Sequence, residues 1–210
     1  MSSSLIHNKI LLVEGKDDLH VVANLCKAVG FPDNAFWIKE KGGYDPLKDT
    51  VEVELDDSNL QYLGILVDAD TNVQERWESL RSKLLSAGYH ALPQQPKPNG
   101  IIVSQPRRPT VGVWIMPDNE LPGELEDFIA YLIPEDDMLW PRVADCVKQI
   151  PTSDQLFSDD DLSKVYIHTW LAWQAEPGCP IGQAIRARWL RPGAPQVSRF
   201  TDWLQRLFQL

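Results

Sequence analysis

Three short apolar runs set the limits on this fold. Residues 8–13 (NKILLV), 63–67 (LGILV) and 111–116 (VGVWIM) are too short for buried helices. They are also too uniformly apolar for strands with one wet face, so each reads as a strand covered on both sides. Helical patterns lie between them. Leu19, Val21, Val22, Leu25, Cys26 and Val29 recur at helical spacing over 16–29, which Gly30 ends, and 73–86 is amphipathic up to Gly88. Residues 35–40 read as a further strand before Gly42-Gly43. Strands that alternate with helices predict an α/β fold, a mostly parallel sheet flanked by helices.

The remaining chain is less regular. Residues 46–55 suit a helix start at Pro46 but also show strand-like alternation of Val, and 91–100 is rich in Pro and Gln and reads as a loop. A helix is expected over 122–132, with Pro122 in its first turn. After Pro134 no strand is evident, and 136–150, 159–175, 181–190 and 197–208 all read as helices. The expected organisation is an α/β domain over 1–133 and a helical C-terminal extension over 134–210 packed on it. Trp170, Trp173, Trp189 and Trp203, half of the eight Trp, predict a well-packed helical end.

Composition excludes several classes. No run of about 18 apolar residues occurs, so no membrane span is expected. The first ten residues lack the basic and apolar segments of a secretory signal. Cys26, Cys146 and Cys179 are odd in number and widely spaced, which argues against a disulfide framework or a zinc site and for a cytoplasmic protein. The net charge of −10 is unevenly spread. From residue 181 to 210 there are five Arg and one Asp, so this tail carries +4 and the first 180 residues carry −14. The tail is either a surface for substrate or partner or a set of solvated arginines.

The chemistry is carried by acids placed just after the strands, where α/β proteins put their sites. Glu14 follows the first run, Asp68 and Asp70 follow the second, and Glu124, Glu126 and Asp127 follow the third. In an extended chain residues i and i+2 point to one side, about 6.6 Å apart, so Asp68 and Asp70 are expected to share a pocket. Glu14 joins them if its strand is a neighbour. Carboxylates about 5 Å apart at an effective dielectric of ~20 repel by about 3 kcal/mol per pair, which calls for a shared proton or a cation. An all-oxygen set without a His or Cys cluster favours Mg²⁺ or Mn²⁺.

At residues 11–18 (LLVEGKDD) and 64–70 (GILVDAD) the sequence resembles the Toprim superfamily, over roughly residues 8–133. The resemblance implies a Toprim-like fold and a metal-dependent nuclease acting on DNA or RNA phosphodiesters. Glu14, Asp68 and Asp70 would then be the metal-binding and catalytic acids. Similarity to the OLD-type branch adds Asp18, four residues after Glu14, and a later acid, for which Glu126 is favoured over Glu124 and Asp127. It also adds a basic residue, for which Lys164 is the candidate. The whole chain resembles small Toprim-related proteins as well, some of them assigned to act beside an ATPase in phage defence. A nucleic-acid substrate, a separate ATPase and a second copy of this chain are therefore the partners in view. No GxxxxGK[ST] loop occurs, so an ATPase would have to be another chain.

Each residue also has a plainer reading. Glu14 could cap a turn and Asp70 could start a helix, where a carboxylate gains about 0.3–1 kcal/mol. Asp17 and Asp18 fall in the first turn of a helix, and Glu126 could be solvated. Lys164 and His168 share a helical stripe and could be an exposed Lys and a half-buried His. His7, His20 and His90 form no ligand set and read as structural. Arg107-Arg108 could meet phosphate or lie in a solvated loop. Two other functions compete with the nuclease. One is a haloacid-dehalogenase-like phosphatase built on Asp68-Ala-Asp70, disfavoured by Asn72 and by the late position of the motif. The other is a regulatory subunit that binds metal, nucleic acid or a partner without cutting.

Overall fold

The computed structural model describes residues 8–210, so the reading of His7 lies outside the described residues. The strands are β1 (Lys9–Val13), β2 (Trp37–Glu40), β3 (Tyr62–Asp68), β4 (Ile101–Val103) and β5 (Thr110–Met116). They form one sheet in the order β2-β1-β3-β5-β4. All neighbours pair in parallel except β4, which is antiparallel to β5. The helices are α1 (Lys16–Ala28), α2 (Tyr44–Leu55), α3 (Val73–Ser86), α4 (Leu125–Ala130), α5 (Trp140–Lys148), α6 (Leu162–Ala172), α7 (Ile181–Arg186) and α8 (Pro195–Phe208). The protein is thus α/β, with a five-stranded, mostly parallel sheet flanked by helices and a helical C-terminal region.

The apolar runs are continuous because both sheet faces are covered. Ile10, Leu12, Leu63, Ile65, Val67, Val111, Val113 and Ile115 face a core completed by Leu47, Val51, Trp77 and Leu80 of α2 and α3. Leu11, Val13, Leu66, Trp114 and Met116 face the other core, which α1 and the C-terminal helices fill. Residues from 134 onward therefore share with α1 and α4 the layer on that face of the sheet. Trp170 and Trp203 are fully buried there, while Trp173 remains 41% exposed.

Helix α8 lies directly on the two central strands because both carry glycine at the crossing. Gly64 and Gly112 are register partners on β3 and β5. A Cβ on Gly112 would come within 2.6 Å of Leu207 Cδ2, and one on Gly64 within 3.1 Å of Phe208 Cζ. Trp203 packs against Trp114 and Phe200 and donates its indole N–H to the Ile101 carbonyl at 3.1 Å, tying α8 to β4.

Several boundaries differ from expectation. The ambiguous 46–55 segment is helical: Leu47, Val51 and Leu55 recur every four residues on the buried face, while Val53 is 71% exposed. Strand β4 was not expected, because three residues after a Pro-rich loop show no periodicity. Helix α4 starts at Leu125 rather than Pro122, since Gly123 has φ 139° and pairs with Asp70. Helix α5 starts at Trp140 rather than near 136, where Asp137 Oδ1 accepts the Leu139 and Trp140 N–H groups. A 3-10 turn, Asp159–Asp161, precedes α6. Among the described residues no helix is long and apolar enough to cross a membrane.

Candidate functional site

The parallel register brings the acid-bearing strand ends together. Strands β1 and β3 are neighbours, and the Asp68 N–H donates to Glu14 Oε1 at 2.9 Å. On the far side of β3, Asp68 is level with Met116 of β5. The chain then returns through Gly123, whose N–H and carbonyl exchange hydrogen bonds of 2.7 and 3.0 Å with Asp70. That clasp carries Glu124 and Glu126 to the same end of the sheet. Helix α1 adds Asp18, whose Oδ2 accepts the Gly15 N–H at 2.9 Å.

These acids act on one another through low-dielectric surroundings. Burial, foremost, pushes Glu14 from 4.5 up to about 7, against the Asp68 N–H hydrogen bond and the Arg76 charge, which lower it. Burial likewise lifts Asp18 to about 6 and Glu126 to about 7; for Glu126 the Glu124 carboxylate adds to the rise. Asp68 is raised well above the ordinary carboxylate range by burial and then by Asp18, Glu14, Glu124 and Glu126. At neutral pH the cluster thus has a strong demand for protons or for a cation.

Two oxygens make that demand specific. Asp18 Oδ1 and Asp68 Oδ1 are buried and have no hydrogen-bond partner. A buried carboxylate oxygen without a donor is costly unless a proton or an ion meets it. No group of three or more His, Cys, Asp or Glu side chains among the described residues stands ready to hold a metal ion. The hydrogen bonds show why. Several of the acids lean on donors of their own: Glu14 on the Asp68 amide, Asp18 on the Gly15 amide, Glu124 on Lys164 and Asp70 on Arg76.

The expected residues divide accordingly. Glu14, Asp18, Asp68 and Glu126 share the cluster. Asp70 departs from the extended geometry that would aim it beside Asp68, because it adopts φ 51°. Its side chain is 61% exposed and is ion-paired to Arg76, although its charge still reaches Glu14. Asp17 is exposed on α1. Lys164 reaches the cluster indirectly, through Glu124 Oε2 at 2.6 Å, while Ser163 Oγ donates to Glu124 Oε1 at 2.9 Å. Asp127 accepts the Glu124 N–H at 2.9 Å and fixes the start of α4. His168, expected half-buried, is exposed, as are His20 and His90. Arg107 and Arg108 lie in the β4–β5 turn, beside the start of β5 and hence at the end of the sheet away from the acids. Asn72 caps α3, its Oδ1 accepting from the Gln74 and Glu75 amides.

Sequence reasoning missed Arg76. Its guanidinium stacks on the Tyr44 ring at 3.6 Å, its side chain is 10% exposed, and it serves both Asp70 and Glu14. The only hint was its place one turn into the helix that follows Asp70. The direct role of Glu124, between Lys164 and Glu126, was ranked second to Glu126.

No curated protein and no solved structure matches the chain. The model of one family, described as "Protein of unknown function (DUF3226)", matches residues 8–209, nearly the whole chain, which therefore belongs to that family.

Proposed function

We propose that the cluster is the divalent-metal site of a nuclease that hydrolyses nucleic-acid phosphodiesters. The observation that carries this reading is the pair of buried oxygens without donors, Asp18 Oδ1 and Asp68 Oδ1, among Glu14, Glu124 and Glu126. Their all-oxygen chemistry fits Mg²⁺ or Mn²⁺. The Toprim resemblance of residues 11–18 and 64–70 supports the same assignment. Asp68, Asp18 and Glu14 would hold the ion, with Glu126 beside them, and Asp70 would join them if it left Arg76. Such an ion supplies positive charge where a phosphate gains negative charge.

The protein's own groups do the rest. Glu126, raised to about 7, is matched to accept a proton from an attacking water near neutral pH. The water oxygen forms the new bond to phosphorus, the ester P–O bond breaks, and the departing oxygen takes up a proton. Lys164 keeps its charge, since the Glu124 hydrogen bond raises its pKa further, and it can offer an ammonium to the phosphate.

Calorimetric titration with Mn²⁺ and cleavage of single- and double-stranded DNA and RNA test this. Wild type should bind the ion with release of protons and cleave at least one substrate; Asp68→Asn should do neither. Equal binding and cleavage by the two proteins removes the proposal.

A specific observation favours a second reading, a metal-dependent subunit that works only with a partner. Lys164 and Arg76, beside the cluster, are already committed to acids, Lys164 to Glu124 and Arg76 to Asp70. With a net charge of −10, the chain gives a polyanion little general attraction. Cleavage that appears only when a partner ATPase is added would support this reading.

A further inference from the structure

The helical C-terminal region builds a groove of about 630 Å³ against the end of α1. Its rim carries Lys27, Arg186, Arg188 and Arg191, its floor includes Ile185 and Leu190, and no carboxylate lines it. All four cations are exposed. Arg191 has a long contact, 3.8 Å, with exposed Asp136. Among the described residues Lys27, Arg186 and Arg188 have no ion-pair partner. In a chain of charge −10, four cations with one weak counter-charge are a local reversal of sign.

Helix-end electrostatics accounts for part of this. Lys27 and Arg186 lie in the last turns of α1 and α7, where cations are stabilised. It does not account for Arg188 and Arg191, which follow the end of α7 and line the same groove. Arg188 adopts φ 62°, so the chain turns there. The screening length is about 10 Å at 0.1 M salt, so a phosphate in the groove feels these cations more than the distant acids.

Helix α1 connects this groove to the acid cluster. Asp18 lies in its first turn and Lys27 in its last. Their axial separation is about 14 Å at 1.5 Å per residue. That is about four nucleotides along a B-form strand, at 3.4 Å of helix axis per nucleotide, and fewer along an extended single strand. Helix α7 runs beside α1 over this length, with Gly182 against His20 and Ile185 in the groove with Asn24 and Lys27.

We propose that the groove is a backbone-binding site for a nucleic-acid strand, seating phosphates a few nucleotides from the bond presented to the acid cluster. The site makes phosphate contacts, so it is indifferent to base sequence. The inference rests on the nuclease reading for its purpose, but its binding step needs no metal.

The test is fluorescence anisotropy of a labelled single-stranded oligonucleotide, DNA and RNA in turn, with EDTA present and salt varied. Four phosphate contacts predict a log–log salt slope of about −3. Replacing Arg186, Arg188 and Arg191 together by Ala should reduce that slope by about 2 and weaken binding at least tenfold near 0.1 M salt. The matching triple replacement by Lys should keep the slope, which controls for folding. The slope staying unchanged in the Ala triple, absence of wild-type binding, or equally tight binding of polyglutamate would each overturn the proposal, the last pointing to an acidic polypeptide instead. Asp68→Asn separates the two ideas. It should bind the oligonucleotide in EDTA as wild type does. If it also binds Mn²⁺ as wild type does while the Ala triple loses the oligonucleotide, the cluster assignment fails and the groove stands.

Discussion

Glu126→Gln keeps the side chain's size and removes its charge. Burial first, and the Glu124 carboxylate second, lift Glu126 from 4.5 to about 7. Between those values the folded protein holds more protons than the unfolded chain. Wild-type stability attributable to this group is therefore full below the unfolded value, falls as pH rises through the window, and levels off above about 7. At about 1.4 kcal/mol per pH unit, this rise is worth ~3 kcal/mol at the plateau. Solvent on the open side of the cluster screens part of it, so the amide should gain about 1–3 kcal/mol over wild type at about pH 8. For a chain of this length, each kcal/mol moves Tm by about 2–4 °C. Calorimetric melting of both proteins in EDTA should show the variant roughly 3–10 °C more stable at about pH 8 and level with wild type near pH 4.5. Glu14 and Asp18 titrate in the same region, so both curves slope, and their difference isolates Glu126. A Tm difference independent of pH, or a variant less stable than wild type at high pH, would refute the rise of Glu126 through burial and the Glu124 charge.

Two other substitutions probe different parts. Gly112→Ala drives a methyl into Leu207 Cδ2 at 2.6 Å and should cost about 1–3 kcal/mol in urea unfolding; a neutral result would mean that α8 is not seated on β5 as described. Arg76→Gln removes a charge that lowers Glu14, so the midpoint pH for Mn²⁺ binding should move upward. Titration calorimetry at several pH values would detect this, and an unmoved midpoint would show that Arg76 does not govern Glu14.

The sheet was legible because its strands are covered on both faces, which forces uniform apolar runs such as LGILV. Strand β4 was not, since a three-residue edge has too few positions to display a period. The 46–55 segment stayed ambiguous because Val51 and Val53 mimic alternation, and only packing shows that Val53 points to solvent. The positions of Glu14 and Asp68 followed from their places at strand ends. Asp70 did not follow, because the i, i+2 rule assumes an extended chain and the backbone becomes left-handed at that residue. Nothing local to Asp70 announces this turn; it answers to Gly123, a partner distant in sequence. Arg76 and the Lys164–Glu124 pair were obscured for the same reason, since which acid a given cation meets is decided by tertiary contacts.

The reciprocal bonds between Asp70 and Gly123 have a dynamic consequence. Each residue's amide is protected by the other's carbonyl, so neither turn can open without releasing its counterpart. In hydrogen exchange the two amides should open as one latch, with matched protection once their different intrinsic exchange rates are allowed for. Because Asp68 precedes one turn and Glu124 follows the other, a cation captured by either carboxylate should slow both amides together.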